Sequence, residues 1–365
     1  MYYRSQDGGD TWDIQDYLVP GTDSSAYLGH DVDSYAIQAK GNDVAFSIFN
    51  SWSDQIVCHS TSNGDMGSWT TRKPFDFPLD KYVINTGYDT LDIGGVDPNA
   101  PNVLAIETCD GTGGIDIGPD GTIHLVFGRM YVMDEDTTDA GTSFFPGTSG
   151  LFYWNSTMPD DGASLIDVVF EALDIDGNDT IGIAEDISFY GGGLTSQADL
   201  VVTDDGTVVI SYSQHMENFV REAVPGSANF PEAQNYRHIY VTGTPDNGAS
   251  WFVPYDVINP DVLIFAGLLN ETEGVFPSIY NDGGDIVHLL FCTDNEPGLF
   301  LNNTADAAND PVTVNTISHW EFDVNDLDVF TVSTKVVEPQ QLKFSLMPNP
   351  ASEEVQINYL SLIHI

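Results

Sequence analysis

A chain of 365 residues that is 41% apolar and 12% aromatic can bury a substantial core, which excludes a globally disordered protein. Ten Lys and Arg stand against 56 Asp and Glu, a formal net charge of −46. So acidic a surface repels phosphate backbones and anionic lipid, which disfavours nucleic-acid and membrane-surface binding, while it suits saline solution and attracts Ca²⁺.

The chain opens on Tyr2-Tyr3-Arg4, an apolar strand leading into Ser5-Gln6-Asp7-Gly8-Gly9-Asp10-Thr11-Trp12. A hydroxyl residue, an Asp two places on, a Gly and a closing Trp describe a hairpin. The carboxylate accepts from turn N–H groups, Gly takes the positive φ, and Trp starts the next strand and covers its edge. Further along, four segments share one pattern of strand, Gly/Asp/Asn turn and second alternating strand: residues 35–49, 114–127, 198–212 and 277–291. Their turn glycines Gly41, Gly121, Gly206 and Gly283 recur at roughly 80 residues, which signals a repeat architecture with generous insertions. Outer strands are expected between them. Residues 55–59 lead to a degenerate turn ending at Trp69 with Ser62 in the Asp position; 151–155 have no such turn; 238–242 precede Thr244-Pro245-Asp246-Asn247-Gly248-Ala249-Ser250-Trp251; 299–302 precede a stretch ending at Trp320.

The two good turns resemble the Asp-box, or BNR repeat, of sialidase-like β-propellers. The resemblance implies an all-β, sialidase-like β-propeller over residues 1–338, with blades around an axis so that most strand edges are protected. The repeats amount to about four and a half blades where that family has six, and Met1 falls inside a hairpin with no secretory leader, so upstream sequence is expected to be missing. From residue 339 the chain, with Met347-Pro348-Asn349-Pro350-Ala351, resembles the opening of the small β-sandwich sorting domain of Bacteroidetes type IX secretion. That module would occupy 339–359, imply export to the medium or outer surface, and make the secretion machinery a partner. Residues 360–365 read as one frame of a sequencing adaptor.

Function is expected on the face where the second and third strands of each blade connect. Two of those connections are long, 128–150 and 213–237, and they carry Arg129, Arg221 and Arg237. Guanidinium groups converging in an acidic protein would clamp a carboxylate. Tyr131, His215 and Glu217 complete a candidate ligand site with these arginines, with Asp134, Glu135 and Glu222 nearby and His30-Asp31 on the same face; the alternative is that each Arg pairs with a local acid. His124 and His288 read as blade-packing residues. Sialidases use three arginines, a Tyr/Glu pair and an Asp, but no residue transfers here by motif, and the family's Arg-Ile-Pro segment is absent. The sharpest local motif is 174–185, where Asp174, Asp176, Asn178, Thr180 and Glu185 occupy positions 1, 3, 5, 7 and 12 of an oxygen-rich loop suited to structural Ca²⁺. Asp179 stands where such a loop needs Gly.

Cys58, Cys109 and Cys292 form no CxxC pair, so either two meet in the fold or all three are thiols. No apolar run approaches the ~18 residues of a membrane span. The reading is a secreted or surface-attached propeller that binds a glycan or protein ligand through long loops; the rival is a sialidase-type exo-glycosidase acting on an anionic sugar.

Overall fold

The computed structural model describes residues 1–24, 34–97, 99–135, 141–175, 177–178, 180–184, 187, 190–225, 232–258, 272–298 and 315–329. The first two strands, β1 (Tyr2–Arg4) and β2 (Ile14–Tyr17), pair alone. Four antiparallel sheets follow. Blade 1 holds β3 (Tyr35–Lys40), β4 (Asp43–Ile48), β5 (Gln55–Ser60) and β6 (Trp69–Phe75). Blade 2 holds β7 (Ile106–Ile117), β8 (Ile123–Met133), β10 (Leu151–Asn155) and β11 (Ser164–Leu165), with β9 (Ser143–Phe144) on the far end of β8 and a short helix α1 (Asp167–Glu171) after it. Blade 3 holds β12 (Thr195–Val202), β13 (Val208–Arg221), β14 (Gln234–Thr244) and β15 (Tyr255–Asp256). Blade 4 holds β16 (Glu273–Asn281), β17 (Ile286–Asp294) and β18 (Thr316–Asp323).

These are the four hairpin repeats expected from the turn glycines. Gly41, Gly121, Gly206 and Gly283 have φ of 62°, 83°, 91° and 102°, the left-handed region where a Cβ is strained. The first strands β3, β7, β12 and β16 touch in sequence, and all four line one hollow of about 490 Å³. The protein is thus an all-β propeller arrangement in which sheets fan around an axis.

The core is a series of layers between blades, because alternate residues of each strand face opposite neighbours. Along β8, Leu125 and Phe127 pack toward blade 1 with Phe49 and Val57, whereas Val126 packs toward blade 3 with Leu200 and Ile210. Blades 3 and 4 meet through Val241, Leu289 and Trp320. The β1–β2 pair packs Tyr2 and Tyr17 against Ile56 and Trp69 of blade 1. Among the described residues the three cysteines are unpaired, and no helix is long and apolar enough to cross a membrane.

Three expectations differ. The stretches 128–150 and 213–237 are not simply loops: β8 continues to Met133 and pairs with β9, and β13 and β14 pair out to Arg221↔Gln234. Alternation explains the first, since Met130 and Val132 are buried beneath Phe77 and Tyr88. Trp12 and Trp251 precede their strands instead of opening them, unlike Trp69. In blade 4 the described outer partner of β17 is β18, with Trp320 inside it; residues 299–302 lie outside the described residues, as do 339–365.

Candidate functional site: a buried polar cluster at one end of the axis

Three innermost strands break register at one level. β7 bulges between Cys109 and Gly113, β12 between Ser196 and Asp199, and β16 between Val275 and Ser278. Bulges free one residue from the ladder and re-aim its side chain. Here they are tied to each other: Gln197 N donates to Thr112 Oγ1 at 3.0 Å, and Phe276 N donates to Gln197 Oε1 at 2.8 Å. This level lies at the end of the strands opposite the four glycine turns.

The bulge in β7 presents Asp110, which is 5% exposed. Its Oδ1 accepts from Thr112 N (2.9 Å) and Thr112 Oγ1 (2.8 Å), while Oδ2 is buried with no hydrogen-bond partner. Two glycines make room for that oxygen. A Cβ built on Gly128 would lie 2.1 Å from Oδ2, and one on Gly192 would lie 3.0 Å from it and 2.7 Å from Ser196 Oγ. Burial is the main cause that raises the Asp110 carboxyl to about 7.

Beside it, Arg237 on β14 is fully buried. Its guanidinium donates to Gly193 O (2.7 Å) and Ser196 Oγ (3.2 Å) and lies 5.1 Å from the centre of the Tyr190 ring. Glu273, the first residue of β16, accepts from the Arg237 backbone N–H and from Tyr190 Oη (2.8 Å). Burial outweighs these donors and raises Glu273 to about 8. His215 is directly opposite Arg237 in the β13–β14 register, and neither ring nitrogen has a hydrogen-bond partner. Burial, reinforced by the Arg237 charge, holds the imidazole neutral. Above the cluster opens a hollow of about 250 Å³, lined by Asp110, Gly111, Thr112, Tyr190 and Gly191 and, from blade 1, by Phe49, Asn50 and Ser51. Chemically this is a water-poor site with two carboxyls that bind protons near neutrality, one fixed cation and one neutral imidazole.

Of the ligand residues expected from sequence, Arg237 and His215 stand in this cluster. The others are engaged elsewhere. Arg129 pairs with Glu107 (2.6 Å) and donates to Tyr131 Oη, whose own proton goes to Asp97. Arg221 reaches Gln234, the Glu232 carbonyl and Glu296. Glu217 is buried and accepts from Ile175 N and Gly182 N, tying both ends of the 175–182 segment to β13. Asp134 similarly accepts from Tyr82 Oη and Asn85 N. The three arginines therefore meet three separate sets of partners.

In the candidate calcium loop, Asp174 Oδ1 accepts from Gly177 N and Asn178 N, and Asn178 Oδ1 accepts from Thr180 N. Asp176 and Glu185 lie outside the described residues, as do His30 and Asp31. Sequence reasoning missed Asp110, Tyr190, Ser196 and Glu273. A signal for the first two exists: Asp110-Gly111-Thr112-Gly113-Gly114 puts glycines inside a strand, and Tyr190 precedes Gly191-Gly192-Gly193, both marks of bulging or close backbone approach.

The two expected turns at 5–12 and 244–251 form the same bonds. In one, Gly9 N donates to Ser5 Oγ and Thr11 N and Oγ1 to Asp7; in the other, Gly248 N donates to Thr244 Oγ1 and Ser250 N and Oγ to Asp246. Both sit away from the buried cluster.

No family model matches this chain, and no curated protein does. Among solved structures it is similar to a GH43_12 protein retrieved from a capybara gut metagenome (13% identity over 72% of this chain and 36% of that one, TM-score 0.32). A second is a PL25 ulvan lyase (11% identity, 79% and 51%, TM-score 0.34), and a third an α-L-arabinanase from Penicillium chrysogenum (13%, 89% and 67%, TM-score 0.33). The chain thus spans about a third to two thirds of the length of these structures.

Proposed function

We propose that the protein binds a glycan at the axis-end hollow and that Asp110 is the group that reads its hydroxyls. The observation that carries this reading is the Asp110 Oδ2 atom, buried beside the hollow with no partner. A buried oxygen left unpaired costs on the order of 1–3 kcal/mol, which a hydroxyl donor from a bound ligand would recover. Protonated near neutrality, the carboxyl both donates and accepts, which matches a sugar hydroxyl. At about 250 Å³ the hollow is smaller than the ~300–1,000 Å³ of drug-sized pockets and suits one terminal sugar residue.

Exo-glycosidase chemistry is the second reading, favoured by two carboxyls beside one guanidinium whose raised values, about 7 for Asp110 and about 8 for Glu273, let Glu273 keep its proton as an acid while Asp110 is partly ionised as a base. Binding is preferred because Glu273 is occupied by Arg237 and Tyr190 and does not line the hollow. The test is calorimetry with a panel of neutral and acidic oligosaccharides, alongside release of a fluorogenic leaving group from the matching glycosides. Saturable binding that weakens tenfold or more in Asp110→Asn, without turnover, supports the first reading. Turnover lost in Asp110→Asn and Arg237→Ala supports the second. Binding unaffected by Asp110→Asn removes the site from both.

Export through the residues from 339 and a structural Ca²⁺ at Asp174, Asp176, Asn178, Thr180 and Glu185 extend this reading. Ca²⁺ calorimetry on wild type and Asp176→Ala addresses the second point; identical traces dispose of it.

A further inference from the structure

Blade 4 carries a second constellation, remote in kind from the buried cluster. In the β17–β18 ladder His288 is directly opposite Glu321, and His319 lies two residues before Glu321, so all three project from one side of the sheet. It is the side turned away from blade 3, because Val287, Leu289, Trp320 and Phe322, at the alternate positions, fill the blade 3–blade 4 core. His288 Nδ1 is 3.2 Å from His319 Nε2 and 3.7 Å from Glu321 Oε2, and one ligand atom from each residue lies within 4.8 Å of the other two.

We propose that His288, His319 and Glu321 bind a divalent transition metal ion, Zn²⁺ by preference. Of two neutral imidazoles with ring nitrogens at 3.2 Å, one shares its N–H with the lone pair of the other. A metal ion takes the place of that shared proton and satisfies both lone pairs at once. The spacings suit it. Zn–N and Zn–O bonds of roughly 2.0–2.2 Å put tetrahedral ligand atoms about 3.3–3.6 Å apart, close to both short distances in the cluster. Two imidazoles with one carboxylate favour a borderline ion over Ca²⁺, which takes oxygen ligands. His319 is nearly buried, whereas His288 and Glu321 keep 26% and 35% of their side chains exposed, so the ion has an entry path and a fourth position open to water. The proposal is independent of the glycan reading.

The probes are ZnCl₂ by calorimetry and CoCl₂ by visible absorption, on protein stripped with EDTA. The expected result is one Zn²⁺ per chain, a Co²⁺ spectrum of four-coordinate intensity that Zn²⁺ abolishes and equimolar Ca²⁺ does not, and at least a tenfold loss of affinity in His288→Ala and in Glu321→Gln. The second variant preserves shape at a partly exposed position, so it reads ligation apart from folding. Non-saturable uptake by the acidic surface with only a six-coordinate Co²⁺ spectrum would overturn the proposal, as would Zn²⁺ affinity unchanged in both variants.

Discussion

Asp110 and Glu273 show how a carboxyl can be placed against its own electrostatic preference. Their folded-state values, about 7 and about 8, exceed the ordinary values of 3.8 and 4.5. Protons are therefore held more tightly by the folded chain than by the unfolded one. The stabilisation is complete below about pH 4 and is lost as pH rises toward 7 for Asp110 and 8 for Glu273. Melting temperature should fall between pH 5 and 8.5. Asp110→Asn, which keeps an acceptor for Thr112 and cannot ionise, should flatten the lower part of that slope and melt roughly 2–4 °C higher than wild type at pH 8. Parallel slopes for the two proteins would mean that Asp110 ionises freely in the fold. The same residue argues that the site was not to be found by counting: with 56 acidic side chains, chemical type singles out none, and of Asp110 and Asp134, each with a buried oxygen lacking a partner, Asp110 is the one that lines the hollow.

Blade-to-blade attachment repeats one device at the level of the strand. The innermost strand of each sheet has no further strand on its axial edge, and an unpaired N–H there must find another acceptor. Asp116 Oδ2 accepts from Val202 N (2.7 Å) in blade 3, and Asp199 Oδ2 accepts from Ile279 N (3.1 Å) in blade 4. Each carboxylate also takes the N–H that follows it in its own chain, Ile117 and Leu200. Asp199→Ala leaves two buried donors unpaired and should cost about 1–3 kcal/mol. Hydrogen exchange should show blade 4 amides, Ile279 first, losing protection before those of blade 2; a uniform loss would refute the clasp. Close approach on the other side of Asp199, at the blade 2–blade 3 junction, makes Gly114→Ala a companion test, since its Cβ would meet Asp199 Oδ1 at 2.6 Å and the Leu200 N at 2.8 Å. Overpacking there should cost about 1–3 kcal/mol, and a melting point unchanged in Gly114→Ala would show that the blades can part without penalty. The hairpins themselves were legible because two-residue alternation and turn glycines are local signals. The extensions of β13 and β14 were not. Gln214, His215, Glu217, Gln234, Asn235 and Arg237 read as loop composition, yet all are buried, and all but His215 make side-chain hydrogen bonds to the elements around them.

At the scale of the molecule, charge and architecture pull against each other. Layers of apolar side chains draw the blades together, while a net charge of −46 pushes the surface apart. Four of the described cations are committed to local acids: Arg4 to Asp13 and Asp65, Arg72 to Asp160, Lys73 to Asp54 and Asp76, Arg129 to Glu107. Exposed pairs of this kind contribute about 0–1 kcal/mol each, and salt weakens them. Salt also weakens the repulsion among the excess carboxylates, and that effect is the larger, because the excess outnumbers the pairs and acts over a Debye length of about 10 Å at 0.1 M that shrinks to about 3 Å at 1 M. The signs are opposite, so one titration decides between them. Raising NaCl from 20 mM to 0.5 M at pH 7.5 should raise the melting temperature by several degrees, at roughly 2–4 °C per kcal/mol. At pH 4, where many exposed carboxylates carry protons, the same titration should give a smaller rise. A flat or falling melting temperature at pH 7.5 would show instead that the local pairs outweigh the acidic excess.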